Sequence, residues 1–258
     1  MFKVVREPVR TLWVPADTTS TPTFYKGQLV IVSGDGVKPL AVASGAADTS
    51  QLQSLFGVVV GFNRRTPQYD TVGEYDTAVI TQAAQLAREF TGVEGFYPKS
   101  DPQVMLQIDI IDARTVLEGT YGAAPTVLTS TTASTDGLGF TSNAAQFTPV
   151  ADYATTYCRG GANMGIMRIS DDISTTVTTN DLAFPYDIAI GDTFVRVPQK
   201  PVGLSRMQTN STATAIDGTV SPATNYFAID VIGLDLKNAG NEKIYFRFHS
   251  VHFDGFRA

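Results

Sequence analysis

The chain has 258 residues, 17% of them charged, a net charge of −6 and one cysteine, Cys158. It is long enough for one large β domain or two smaller ones. The acidic balance excludes bulk nucleic-acid binding, which needs clustered Lys and Arg, and the single cysteine excludes an intrachain disulfide.

Globular proteins carry about a quarter charged residues, so charge is scarce here; Thr, Ser, Gly, Ala and Asn take its place. Such a surface suits contact with other proteins, because few ions must be desolvated. "MFKVVREPVRTLWVP" lacks the apolar segment of a signal peptide. The longest mostly apolar run, "LFGVVVGF" at 55–62, falls short of the about 20 residues that span a bilayer. The expectation is a soluble chain, or one assembled from a soluble form, with no membrane partner.

In chain order, "YKGQLVIVSGDGVKPLAV" (25–42) reads as strand, Gly-Asp-Gly turn and strand, since these turn residues accept positive φ. Pro39 cannot donate to a ladder, so the second strand belongs at an edge or a bulge. "LFGVVVGFN" reads as a buried strand with two glycines marking a bend or a close approach. Arg64-Arg65, the only adjacent basic pair, reads as a solvated loop pair. "AVITQAAQLAREF" (78–90) fits either a helix, with Ile80, Ala83, Ala84, Ala87 and Phe90 on one face, or a strand. In "PQVMLQIDIIDA" (102–113), Val104, Leu106, Ile108 and Ile110 share one face and Gln107 and Asp109 the other, the pattern of a half-buried strand.

Residues 126–148 turn Thr-, Ser- and Ala-rich. They read as a linker or, preferred here, a hairpin about Asp136-Gly137. Further on, "YDIAIGDTFVRVPQKPVGL" (186–204) alternates until Gly191-Asp192. "NYFAIDVIGLDL" (225–236) points Phe227, Ile229 and Val231 inward. The last stretch sends Phe246 and Phe248 inward and Tyr245, Arg247 and His249 outward. The expected fold is mainly β, with antiparallel β-barrel, β-tulip or sandwich modules and at most one short helix. The expected domains are 1–122, an N-terminal arm plus a barrel-like domain, and 123–258, a second β domain. "KGQLVIV" (26–32) and "IGDTFVRV" (190–197), each followed by Lys-Pro, read either as two copies of one module or as common turn grammar.

Chemistry-bearing side chains are few. His249 and His252, three apart on a strand, face opposite sides and cannot share a metal ion without a bulge. His252 and Asp254 share a face and form a candidate His–carboxylate pair, weighed against a terminal strand bringing amphipathic side chains to an interface. "SDDIS" around Asp171-Asp172 reads as a turn; no loop has the Asp/Asn alternation of a calcium site. "SGDGVKP" lacks the spacing of a phosphate loop, and neither GxSxG nor HExxH occurs. Cys158 reads as a small buried apolar residue. No catalytic residue, cofactor or metal is assigned.

"YKGQLVIVSGDGVKPL" followed by "LFGVVVGF" resembles the capsid decoration (cement) proteins of tailed bacteriophages, in which a Gly-led strand, a short turn and a later "GVVV" strand recur. The likeness covers residues 20–65, with a fainter echo at 186–204; the chain is longer than one such module. The resemblance implies a non-enzymatic virion protein, made in the host cytoplasm, that sits on the capsid surface and bridges subunits of the major capsid protein. It also implies a homo-oligomer, dimer or trimer, with no direct nucleic-acid contact. On that reading, Trp13, Phe24, Tyr25, Tyr245, Arg247 and His249 are the candidate interface residues, because aromatics and Arg anchor interfaces. The N-terminal arm, with prolines at 8, 15 and 22, is either a strand added to a neighbour's sheet edge or the first strand of the local core. The alternatives are another virion component (a jelly-roll shell subunit, a tail or a fibre protein), a carbohydrate-binding β-sandwich, and a hydrolase built on His252 and Asp254.

Overall fold

Alternating apolar residues and frequent turn residues leave the backbone one good way to pair its polar groups, which is with neighbouring strands. The structure, a computed structural model, describes residues 1–6, 10–15, 23–33, 36–40, 54–64, 79–81, 104–122, 124–144, 154–173, 176–197, 203–207, 214–216, 227–250 and 253. These are mainly β, in antiparallel sheets, with no α-helix among them. By compactness the chain divides into unit 1 (Met1–Leu117, Asn210–Thr214 and Phe248–Ala258) and unit 2 (Glu118–Thr209 and Ala215–Arg247). The first crossing thus falls between Leu117 and Glu118, and the chain returns to unit 1 twice, where the sequence suggested a single cut after residue 122.

Unit 1 holds β1 (Lys3–Arg6), β2 (Arg10–Pro15), β3 (Thr23–Tyr25), β4 (Leu29–Ser33), β5 (Gly36–Pro39), β6 (Leu55–Arg64), β7 (Val79–Thr81) and β8 (Val104–Ile110). Its main sheet runs β2-β8-β6-β4-β5, with β3 and β7 paired separately. The hairpin of residues 25–42 is present: β4 and β5 pair with Ser33 opposite Gly36, while Gly34 and Asp35 lie outside the described residues. Pro39 sits on the edge strand, as its missing N–H requires. Both β6 glycines have work to do. A Cβ on Gly57 would lie 2.4 Å from Ile108 Cγ2 and 2.5 Å from the Asp109 carbonyl; Gly61 follows a register shift. Phe24, Val30, Val37, Val59, Leu106 and Ile108 form the core. Of 78–90, Val79–Thr81 is strand, the competing reading to a helix, and residues 78 and 82–90 lie outside the described set.

The chain continues through β9 (Val116–Thr120), β10 (Val127–Thr129), β11 (Gly139–Thr141), β12 (Ala154–Gly160), β13 (Met167–Ile173), β14 (Val177–Asn180), β15 (Thr193–Val197), β16 (Gly203–Met207), β17 (Phe227–Asp235) and β18 (Lys243–Phe248). Six of these form a sheet in the order β10-β15-β12-β13-β14-β11. It is curled. Phe140 on β11 stacks on Phe194 on β15 with ring centroids 4.1 Å apart. Arg196 Nη1 on β15 donates to Thr178 Oγ1 on β14 at 2.9 Å. In a flat sheet those two strands, three places apart, would be separated by about 14 Å. The edges also meet. Ser130 bridges Ser142, Thr131 N donates to the Thr141 carbonyl at 2.7 Å, and Asn143 N donates to that of Thr129 at 2.9 Å. The Thr/Ser-rich stretch is therefore not a linker: it doubles back about Asp136-Gly137 with Ser130 opposite Ser142, as a hairpin there requires, and because β10 and β11 also pair with β15 and β14, the same contact closes the seam of a barrel. Asp171 and Asp172 lie on β13, beside a register shift after Ser170, and not in a turn.

The barrel interior is divided. Leu128, Phe140, Cys158, Phe184, Ile188 and Phe194 form an apolar cluster. Further along, a hydrogen-bond chain runs one way: Thr156 Oγ1 to Ser170 Oγ at 2.9 Å, Ser170 to Asn180 Oδ1 at 2.6 Å, and Asn180 Nδ2 to the Leu138 carbonyl at 2.9 Å. Ser170 has one proton, so Thr156 is the donor to it. Arg196, 1% exposed, is buried with these groups, and burial lowers its guanidinium to about 10.

The sequence echo has a geometric counterpart. Gly27 (φ 75°) and Gly191 (φ 95°) each precede a buried polar residue. That residue's side chain accepts the backbone N–H three positions back: Tyr25 N to Gln28 Oε1 at 2.9 Å, and Ala189 N to Asp192 Oδ2 at 3.0 Å. Chain order differs, however. The partners of β4, namely β5 and β6, both follow it, whereas β10 and β12, the partners of β15, both precede it. A tandem copy preserves chain order, so shared turn chemistry accounts for the echo.

The strands β9-β18-β17-β16 run side by side. Ile229, Val231, Ile244, Phe246 and Phe248 are buried and Arg247 exposed, as the alternation predicts. Arg159, from β12, ties the barrel to this sheet. Its Nε donates to the Leu236 carbonyl at 2.8 Å and its Nη2 pairs with Glu242, both side chains being almost inaccessible. Arg159 Nη1 is buried with no hydrogen-bond partner. Removing one member of a buried ion pair strands the other, at a cost of about 3–5 kcal/mol, whereas an apolar pair of similar volume is often tolerated. Arg159→Ala should therefore lower the urea midpoint strongly, and Arg159→Met with Glu242→Leu should recover much of the loss. Gly57→Ala, with no room for its methyl, should cost about 1–3 kcal/mol in the same assay.

Candidate functional site

β10, β12 and β14 all run toward one end of the barrel, so the loops that follow them, Ser130–Leu138, Gly161–Ile166 and Asp181–Asp192, gather there. Hydrogen bonds brace them. Phe184 N donates to the Gly137 carbonyl at 2.9 Å, and Ser134 and Ile188 exchange both backbone bonds at 2.9 Å. Asn163, fully buried, acts like a strand's peptide group: its Nδ2 donates to the Tyr186 carbonyl at 2.8 Å and its Oδ1 accepts from Tyr186 N at 3.0 Å. Arg168 donates to the Ala183 carbonyl at 2.9 Å and lies over the Phe184 ring.

Glycine is required where these loops cross. Gly137 (φ 64°) sits against the Phe184 carbonyl, and a Cβ on Gly161 (φ 112°) would strike the Asp192 carboxylate. Asp136 accepts from the Ser134 hydroxyl at 2.6 Å and from Leu138 N at 3.0 Å. Those two bonds favour the carboxylate, the Ser134 hydroxyl most, and hold its pKa below the ordinary aspartate value.

Within "DLAFPYDIAIGD" (181–192) the side chains split into two sets. Phe184 and Ile188 point into the barrel core, at 3% and 1% exposure; Leu182, Tyr186 and Ile190 point out, at 69%, 61% and 70%. Met164, at 69%, joins them from the next loop, and Leu138, at 40%, from the third. Large apolar side chains are thus held out to solvent by a hydrogen-bonded scaffold. Among the described residues no group of three His, Cys, Asp or Glu side chains is placed to hold a metal ion, and no helix is long and apolar enough to cross a membrane.

The residues expected from the sequence are distributed over both units. Trp13 is 39% exposed on β2 and Tyr25 is half-buried on β3. Phe24 is 0% exposed: its ring packs with Val30, Val59 and Leu106 and is unavailable as a surface anchor. Tyr245 is half-buried. Arg247 pairs with Asp230, its Nε 2.7 Å from Oδ2, and His249 is exposed. His252, Asp254 and Arg65 lie outside the described residues. Sequence reading missed the barrel tip because "YDIAIGDTFV" alternates like a strand. The usable signal was Pro185 and Gly191 flanking that alternation, which makes it an unusually apolar loop.

Cys158 lies at the floor of the tip, 0% exposed, and burial raises its thiol to about 11. The thiol should resist an aromatic disulfide reagent at neutral pH and react only on unfolding. A pKa raised on folding means the native state holds the proton longer. This contribution to stability is complete below pH 9 and is lost as pH rises toward 11. Chemical denaturation across that range, compared with Cys158→Ala, checks the sign.

In comparisons with known proteins, no family model matches the chain, and neither a curated protein nor a solved structure matches it.

Proposed function

We propose that this is a non-enzymatic structural protein that docks its barrel tip on the outer surface of a phage head and, as a small homo-oligomer, bridges neighbouring capsid subunits. The observation that carries the docking is the set of four side chains, Met164, Leu182, Tyr186 and Ile190, each more than half exposed on hydrogen-bonded loops. The phage head as the docking partner rests on the likeness of "YKGQLVIVSGDGVKPL" and "LFGVVVGF" to decoration proteins. Scarce surface charge and antiparallel barrel-like sheets are consistent with that role.

Physically, such a protein works by mass action. Binding the assembled shell and not its separated subunits stabilises the shell by RT ln(1 + [L]/Kd) at each site, summed over many copies. Rigid loops help, since a surface already ordered loses little conformational entropy on docking.

Purified protein should co-sediment with heads that lack it, saturating at a fixed ratio to the shell protein. Tyr186→Ala and Ile190→Ala should each weaken that binding by roughly tenfold or more, as central apolar anchors do, with unchanged unfolding midpoints. Undiminished binding by the double variant would move the docking surface elsewhere. No binding by folded wild-type protein to intact heads would sink the capsid reading.

A further inference from the structure

The three tip loops carry Asp136, Asp181, Asp187 and Asp192 and contain no Lys or Arg. Asp192 is buried beneath the surface, while Asp136, Asp181 and Asp187 are exposed around the apolar side chains. Arg168, on β13, is turned onto the Ala183 carbonyl and the Phe184 ring. The tip is thus an apolar centre with an acidic rim. From this charge pattern we propose that the occupant of the tip is a different protein presenting an apolar socket bordered by Lys and Arg, and not the tip of a second copy. This deepens the docking reading above and rests on it for the choice of surface.

Complementary rim charges steer encounter and fix orientation, and like charges across an interface are penalised. A tip-to-tip dimer would set Asp136, Asp181 and Asp187 of one copy against the same residues of the other. Any oligomer of this chain is therefore held by other surfaces, which leaves the tip available for its partner. Braced loops keep the three carboxylates at fixed positions around Met164, Leu182, Tyr186 and Ile190, so the rim selects as well as attracts.

Two probes are used, so that failure of the capsid reading and failure of this inference give different results. The first is a peptide of alternating Leu and Lys, with a Leu/Glu peptide of equal length as its control. The Leu/Lys peptide should shift the methyl NMR signals of Met164, Leu182 and Ile190, the Leu/Glu peptide should not, and Asp181→Lys with Asp187→Lys should abolish the shifts. Equal response to both peptides, or response to neither, overturns the inference whatever the heads do.

The second probe is the head that lacks the protein. Asp187→Lys should weaken binding about tenfold at low salt, with the difference from wild type closing at high salt. Asn238→Lys with Asn241→Lys, the same change in net charge placed on the β17–β18 turn, should bind like wild type. Wild-type binding to heads that Asp187→Lys leaves unchanged, or strengthens, rejects the acidic rim while the capsid reading stands. No head binding together with a selective peptide response rejects the capsid and keeps the rim. Sedimentation equilibrium showing a dimer that Ile190→Ser dissociates would make the tip a self-contact and overturn the proposal.

Discussion

A short seam holds the second unit in shape. Where Thr129–Thr131 meets Thr141–Asn143, the two edge strands of a six-stranded sheet satisfy each other, and an edge that would otherwise invite strange partners is removed. Closure sets everything inside it. It brings Phe140 onto Phe194 and Arg196 to Thr178, contacts that no flat sheet of this order permits. It also collects the three loops at one end, because a closed antiparallel barrel sends every second connection to the same rim.

The closed interior is part apolar and part polar, and its buried polar groups must be satisfied internally. The chain from Thr156 through Ser170 and Asn180 to the Leu138 carbonyl meets that need. Its terminus is informative: Leu138 is also one of the exposed residues of the tip. The buried network therefore anchors the loop that displays an apolar side chain to solvent, linking interior polarity to surface presentation. Arg159 is the outward counterpart. It joins barrel and sheet through a buried ion pair, with its Nη1 left without a partner.

Strand identity was legible where alternation met simple burial. β8 shows it most clearly, with Leu106 and Ile108 buried and Gln107 and Asp109 partly exposed, and β18 repeats it with Phe246 and Phe248. Edge placement of Pro39 and close approach at Gly57 were legible too, because one missing N–H and one missing Cβ each have few uses. The turn about Asp136-Gly137 was legible as a hairpin; that its two arms also pair with β15 and β14 and so close a barrel was not, because those partners lie far along the chain. Nor was the direction of the aromatics. Phe24 and Trp13 look alike in sequence, yet Phe24 falls on the face of β3 that meets the core while Trp13 stands on β2 at 39% exposure.

The tip exposes the deepest limit of pattern reading. In "DLAFPYDIAIGD" every second residue is apolar, and a strand would bury them all on one face. The bonds from Asn163 to Tyr186 and from Ser134 to Ile188 instead make the segment a loop, and the loop turns Phe184 and Ile188 down while Leu182, Tyr186 and Ile190 face out. A segment that only needed to close the barrel would gain nothing from three outward apolar side chains, and would carry the solvation cost of exposing them. That cost is recovered where a partner covers them. On the docking proposed above, the buried Asn163, the glycines at 137 and 161 and the bonded Asp136 would serve one purpose: holding the surface ready, so that docking spends little of its free energy on ordering the loops.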